Sequence, residues 1–240
     1  MSARARQDNQ PGYVLHTYPF RETSLLVETF TRSHGRVAMI ARGAKRPRSA
    51  LRGSIMAFQS LALSWSGRGE LRLLLRAEWQ GGQPLLRGRA LLCGFYLNEL
   101  LLKLLPREDA HEQLFLDYQA ALARLAAEPE PDAVLRRFEK ALLRELGYAL
   151  ALDRDSASGS QIDPGKAYAY DPERGPLAAN GAAHAGPVFS GQTLLNIVHD
   201  DYSDASTLQQ AKALMRLLIN HRLEQKPLNS RRIFEELRQL

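Results

Sequence analysis

Between Gly12 and Trp79 apolar residues recur with a period near two, and at Gly81-Gly82-Gln83-Pro84 that period gives way to the spacing of helices. The change divides the chain into a strand-rich start and a helix-rich remainder. Five strands are predicted before it: Tyr13 to His16, Ser24 to Thr31, Arg36 to Ala41, Phe58 to Ser66 and Glu70 to Glu78. Turn signals stand at the joints, among them Pro19, Ser33-His34-Gly35 and Ser66-Gly67-Arg68-Gly69. Leu61, Leu63 and Trp65 share one face of the fourth strand; Leu71, Leu73 and Leu75 face away from Arg72 and Arg76 in the fifth. Short strands with no intervening helix to cover them must close on themselves. A small barrel is therefore expected, and the pattern fits an oligonucleotide-binding (OB) barrel or an SH3-like barrel.

The remainder reads as helices. Leu85 to Leu105 is leucine-rich on most sides, as a helix central to a bundle should be. Ala110 to Ala127 and Asp132 to Leu146 follow, with Asp132 as an N-cap and Gly147 as a stop. Residues 151–193 read as an irregular insertion with short strands at Lys166 to Tyr170 and Ala185 to Phe189. Thr193 to His199 and Thr207 to Leu223 are the next helices, the latter behind a Ser206/Gln209 capping box, and Ser230 caps a last short one. Residues 1–11 read as a frayed tail. The expected class is α+β, with a five-stranded barrel over residues 1–80 and a mainly helical domain over 81–240.

Charge divides the chain in the same place. Residues 1–89 hold 15 Lys or Arg against 5 Asp or Glu, whereas the remaining residues hold 17 against 21. The excess concentrates in Arg42-Gly43-Ala44-Lys45-Arg46-Pro47-Arg48-Ser49-Ala50-Leu51-Arg52, inside a window from Thr29 to Gly69 that has no carboxylate. A positive field of this kind is the footprint of a polyanion. Arg42, Lys45, Arg46, Arg48 and Arg52, with Arg36, Arg68 and Arg72, are the candidate phosphate contacts. An adaptor whose basic barrel meets an acidic protein is the alternative from another class. Tyr18, Phe20, Phe58, Trp65 and Trp79 are either core or platforms for unpaired bases. On the third helix Arg136, Arg137, Lys140 and Arg144 lie beside an apolar stripe and form either a solvated face or a dock for an acidic peptide.

Enzyme chemistry finds little support. The single cysteine, Cys93, lies in an apolar run and cannot form an internal disulfide or a multi-cysteine zinc site. His16, His34, His111, His184, His199 and His221 show no metal-ligand spacing, and His199-Asp200-Asp201 reads as a helix end. Gly159 to Lys166 is one residue too long for a phosphate loop, and Ala167 stands where a Ser or Thr would bind Mg2+. Neither a cofactor nor a metal is expected. The N-terminus lacks a hydrophobic signal core, so the cytoplasm is the expected compartment.

Several runs together carry a family resemblance. Gly12-Tyr13-Val14-Leu15-His16, Glu22-Thr23-Ser24-Leu25, Gly35-Arg36-Val37, Ala41-Arg42-Gly43-Ala44 and Gly67-Arg68-Gly69-Glu70 resemble the N-terminal domain of RecO, the bacterial recombination mediator and DNA repair family. Tyr96-Leu97-Asn98-Glu99-Leu100-Leu101, Leu135-Arg136-Arg137-Phe138-Glu139, Leu146-Gly147-Tyr148 and Lys226-Pro227-Leu228-Asn229-Ser230-Arg231 continue it in order. The resemblance implies an OB barrel followed by a helical domain, with no enzymatic turnover. It implies binding to single- and double-stranded DNA, annealing of complementary strands and, with RecR, loading of RecA onto DNA coated by single-strand-binding protein. It also implies capture of the acidic C-terminal tail of that protein, for which Arg136, Arg137, Arg222 and Lys226 are the candidates. Two positions depart from the family. Asn220 stands where a cation is usual ahead of the final motif, and no cysteine occurs at Asp153 to Pro164, where many relatives carry a four-cysteine zinc module.

Overall fold

The computed structural model describes residues 6–148, 150–179 and 186–237. Five strands, β1 (Arg6–Phe20), β2 (Ser24–Thr31), β3 (Gly35–Ala41), β4 (Leu61–Ser66) and β5 (Leu71–Trp79), close into a barrel in the order β1-β2-β3-β5-β4. The β3–β5 pair is parallel and the others are antiparallel, which resolves the expected barrel as an OB fold. Among the described residues six helices follow: α1 (Gly88–Leu104), α2 (Glu112–Ala127), α3 (Asp132–Glu145), α4 (Gly191–Val198), α5 (Ala205–Arg222) and α6 (Asn229–Leu237). Strands give way to helices where the sequence period changes. The compact units divide elsewhere: residues up to 129 and from 228 onward form one, and residues 130–227 form the other.

The barrel closes through β1, which is far longer than its sequence signal. The expected frayed tail is corrected from Arg6 onward, because Arg6, Gln7, Gln10 and Pro11 pair with Ser66, Trp65, Leu63 and Ala62 of β4. Polar side chains hid this half, which pairs through its backbone. At Gly12 the strand passes from β4 to β2, and a Cβ there would lie 2.6 Å from Leu63 Cδ1. Inward-facing Val27, Val37, Met39, Leu61, Leu63, Trp65 and Leu74 fill the interior. Outside it, Tyr13 and Phe30 pack against Phe115 and Tyr118 of α2, with ring centroids 5.2–6.1 Å apart. Asn98 of α1 donates to Leu15 O at 2.8 Å and accepts from Tyr118 Oη at 2.6 Å, binding β1 and both helices.

Helix α6 is tied to α1 by Arg231, 5.8 Å from the Tyr96 ring centroid, and by a carboxylate. Glu99 of α1 accepts from the amides of Asn229 and Ser230 at 2.8 Å and from the Ser230 hydroxyl at 2.6 Å. Glu99 thus caps α6 from another helix, whereas Ser230 was expected to be the cap. Burial alone would raise its pKa, but the Ser230 and Asn229 bonds and Lys103 outweigh burial and lower it. Two other expected caps are replaced by neighbours. Pro131 precedes α3, with Asp132 its first residue, and Asp204 rather than Ser206 accepts from Thr207 N at 2.7 Å ahead of α5.

In the second unit α3, α4 and α5 surround Leu143, Ile197, Leu214, Met215 and Leu218, together with Tyr168 and Phe189 from a small sheet. That sheet, β7-β6-β8, comprises β6 (Ala167–Asp171), β7 (Gly175–Ala178) and β8 (Val188–Ser190), so much of the irregular insertion is regular. His184 and the Ala185 end of one predicted strand lie outside the described residues. Asp155 organises the preceding loop, accepting from the Ala157 and Ser158 amides, the Ser158 hydroxyl and, at 2.7 Å, the Ala178 amide of β7. The side chains from Asp153 to Pro164 do not fit a zinc module: they offer no thiol, and both Asp155 oxygens already accept hydrogen bonds.

Two predictions follow from these contacts. Gly35 has φ +61°, and a Cβ there would fall 1.8 Å from Asp109 O. Gly35→Ala should therefore destabilise the N-terminal unit by more than the about 1–3 kcal/mol of the conformation alone, read as a lower melting temperature. The Ser158 amide lowers the Asp155 pKa; burial opposes this, and the Ala178 amide reinforces it. Its contribution is thus present above the ordinary aspartate value near ~3.9 and lost as pH falls through its lower folded value. Denaturant melts should show wild type more stable than Asp155→Ala at pH 6, with the gap shrinking below about pH 4.

Candidate nucleic-acid interface

The basic loop leaves the barrel at the end of β3 and is tied down at once. Lys45 N donates to Thr23 O at 2.9 Å and Gly43 N to Ser24 Oγ at 3.3 Å, fixing it against the β1–β2 turn. Successive turns follow, with Arg46 N bonded to Gly43 O, Ser49 N to Arg46 O and Arg52 N to Ser49 O. Buried Ala44 and half-buried Leu51 and Ile55 anchor the turns on the barrel core. Arg42, Lys45, Arg46, Arg48 and Arg52 all project into solvent. None of the five makes an ion pair among the described residues. Held charges of one sign attract phosphates without reorganising first.

The other three candidate phosphate contacts separate from these. Arg36 is corrected outright, since it is only 8% exposed and its guanidinium is turned into the unit, away from solvent. It donates to Leu102 O and Leu105 O at 2.6 Å, at the C-terminal end of α1, and lies 3.3 Å from the buried Glu28 carboxylate, which Arg107 also contacts. Burial lowers the Arg36 pKa, and Glu28 pulls it back. Arg68 and Arg72 lie at the opposite end of β3, because Ala38 pairs in parallel with Leu71 at the start of β5. They line a separate cavity of about 320 Å³ with His34 and Trp65, where Arg72 reaches Glu108 at 2.7 Å.

The loop acquires an arginine that the sequence did not single out. Arg21, in the β1–β2 turn, joins Arg42 and Arg46 around an open cleft of about 660 Å³ that also contains Phe20, Ile40 and Glu22. Its guanidinium lies 5.5 Å from the Phe20 ring centroid. Neighbouring Glu22 masked it in a count of local charge. Of the barrel aromatics, Phe58 and Trp65 are core, whereas Tyr18 is 44% and Trp79 64% exposed.

The candidates for the acidic-tail dock are not gathered. Arg136 is 5% exposed and bonded to Glu139 at 2.8 Å, so it is corrected to a structural residue. Arg137 is half-buried, lies over the Tyr202 ring and donates to Asp200 O at 3.1 Å. Arg222 stacks 3.4 Å from the Tyr148 centroid, and exposed Lys226 pairs with Glu224 at 3.3 Å. Lys140 closes the end of α4 by donating to Ile197 O and Val198 O. His199-Asp200-Asp201 is the helix end that its sequence indicated.

The N-terminal unit is thus an OB barrel that carries a pinned basic loop with no ion pair from its cations among the described residues. The comparisons give the family. Residues 5–82 match the model for the N terminal of recombination protein O, and residues 86–232 match that for its C terminal. DNA repair protein RecO of Aromatoleum aromaticum is 57% identical over the whole of both chains, and that of Dechloromonas aromatica is 55% identical, also over the whole of both. The Azoarcus sp. (strain BH72) protein of the same name is 54% identical over the same share. The chain belongs to the RecO family of DNA repair proteins. Among the described residues no helix is long and apolar enough to cross a membrane.

Because Arg36 serves the fold, Arg36→Met should cost about 3 kcal/mol, the low end for a broken buried pair since Arg107 still holds Glu28. Denaturant melts would register that loss. The DNA affinity of the folded fraction should stay within twofold of wild type.

Proposed function

We propose that this chain is a non-enzymatic recombination mediator of the cytoplasm. It binds single- and double-stranded DNA through the basic loop, anneals complementary strands and, with RecR, helps load RecA onto DNA coated by single-strand-binding protein. The DNA-binding part rests on one observation: five exposed cations on a loop that backbone bonds hold in place against the β1–β2 turn. Annealing, RecR, RecA and capture of an acidic single-strand-binding-protein tail follow from family membership. For the tail, half-buried Arg137, exposed Lys226 and the stacked Arg222 remain the candidates.

Reversing Lys45, Arg46 and Arg48 to Glu should weaken DNA binding regardless of sequence. It should also flatten the salt dependence by about 0.7 per lost single-strand phosphate contact, or about 0.9 on duplex. Fluorescence anisotropy of labelled oligonucleotides across a salt series measures both. An unaltered slope would sink the assignment of the loop. Absence of binding by wild type even at low salt would favour the adaptor, with an acidic protein as the partner of the loop.

A further inference from the structure

The cations near the β1–β2 turn fall into two sets. Arg42 and Arg46 line the cleft of about 660 Å³ together with Arg21, whereas Lys45, Arg48 and Arg52 are not among its walls. The turn and the loop that form the cleft are fixed to each other, since Lys45 N donates to Thr23 O at 2.9 Å and Gly43 N to Ser24 Oγ at 3.3 Å. Two of the arginines are placed individually as well. Arg46 lies back across the bare face of Gly43, where φ is +65° and a Cβ would come within 3.5–3.9 Å of Arg46 Cδ, Nε and Cζ. Arg21 takes φ +53°, and its guanidinium lies 5.5 Å from the centroid of Phe20, another wall of the cleft.

The charge of the cleft is unbalanced. Arg21, Arg42 and Arg46 make no ion pair among the described residues, and neither does Glu22, the one carboxylate on the walls. Three cations against one anion leave the concavity with a surplus of two positive charges. An internal DNA phosphate brings a single negative charge and is linked on both sides. A phosphate linked through one oxygen only carries about −1.5 to −2 at neutral pH and offers three acceptor oxygens, a match for guanidinium forks.

We infer that this cleft is a receptor for a phosphate linked through one oxygen only, and that it ranks such a group above the internal phosphates of DNA. Two sources share the chemistry: the phosphorylated end of a DNA strand and a free polyphosphate chain, as in a nucleoside triphosphate. For the strand end the inference rests on the proposed DNA-binding role of the basic loop; for the free chain it stands on the cleft alone. The two sets of cations then do different work. Lys45, Arg48 and Arg52 hold internal phosphates along a strand, and Arg21, Arg42 and Arg46 close around a more highly charged group.

The test uses single strands of one sequence, labelled internally and ending in hydroxyls, in a 5′-phosphate or in a 3′-phosphate, and inorganic tripolyphosphate followed by isothermal titration calorimetry. Wild type should bind a phosphorylated strand about tenfold more tightly than the hydroxyl one, bind tripolyphosphate, or do both. A preference without tripolyphosphate binding identifies the strand end as the source, and the reverse identifies the free chain. Arg21→Gln, at an exposed position outside the basic loop, should abolish whichever is seen while affinity for the hydroxyl strand stays within twofold. Arg48→Gln/Arg52→Gln should weaken all three strands alike and leave the preference and tripolyphosphate binding intact. Equal affinity for the three strands together with no tripolyphosphate binding overturns the receptor and leaves DNA binding by the loop standing. An Arg21→Gln variant that keeps the wild-type pattern overturns it as well. Tripolyphosphate binding by a wild type that binds no strand would instead remove the DNA role and leave the receptor.

Discussion

The N-terminal unit depends on how Arg36 is buried. A guanidinium out of water must keep a counter-charge and fill its donors, and here Glu28 supplies the first while the last carbonyls of α1 supply much of the second. One side chain thereby joins β3, β2 and the end of α1. The helices cover one end of the outer barrel surface, where Phe30 meets α2, and leave the Tyr18–Leu26–Ile40–Leu73 row open. The open end is the one from which the basic loop departs.

Carboxylates recur as fasteners elsewhere. Glu99 gathers the start of α6, and Asp155 gathers a loop and a strand through their amides. Each satisfies donors that a turn or helix start would otherwise leave unpaired. The cations divide by the same logic. Arg36 and Arg136 have buried acidic partners and serve the fold, whereas the loop from Arg42 to Arg52 has none among the described residues.

Much of the fold was legible because periodicity survives in a single sequence. The alternation of Leu61, Leu63 and Trp65 marked an inward face, and Gly147 marked a helix end close to its observed place. The first half of β1 was not legible, because Arg6 to Gln10 have no apolar face and are strand only by pairing with β4. The caps of α5 and α6 were misplaced for a related reason. Local sequence offers several acceptors within a few residues, and for α6 the acceptor used lies 130 positions away. For the candidate site the loop was visible as a run of charge, but Arg21 was hidden beside Glu22, and Arg36 looked like the others.

By itself, then, the sequence determined the strand-to-helix order, the inward face of β4 and the concentration of cations between β3 and β4. These follow from local spacing and from charges adjacent along the chain. Tertiary structure alone decided which cations are available, which outer row stays uncovered and which carboxylate holds the end of the chain. Those outcomes depend on burial and on partners far apart in sequence, and a charge or a leucine has the same letter whether it is satisfied, covered or free.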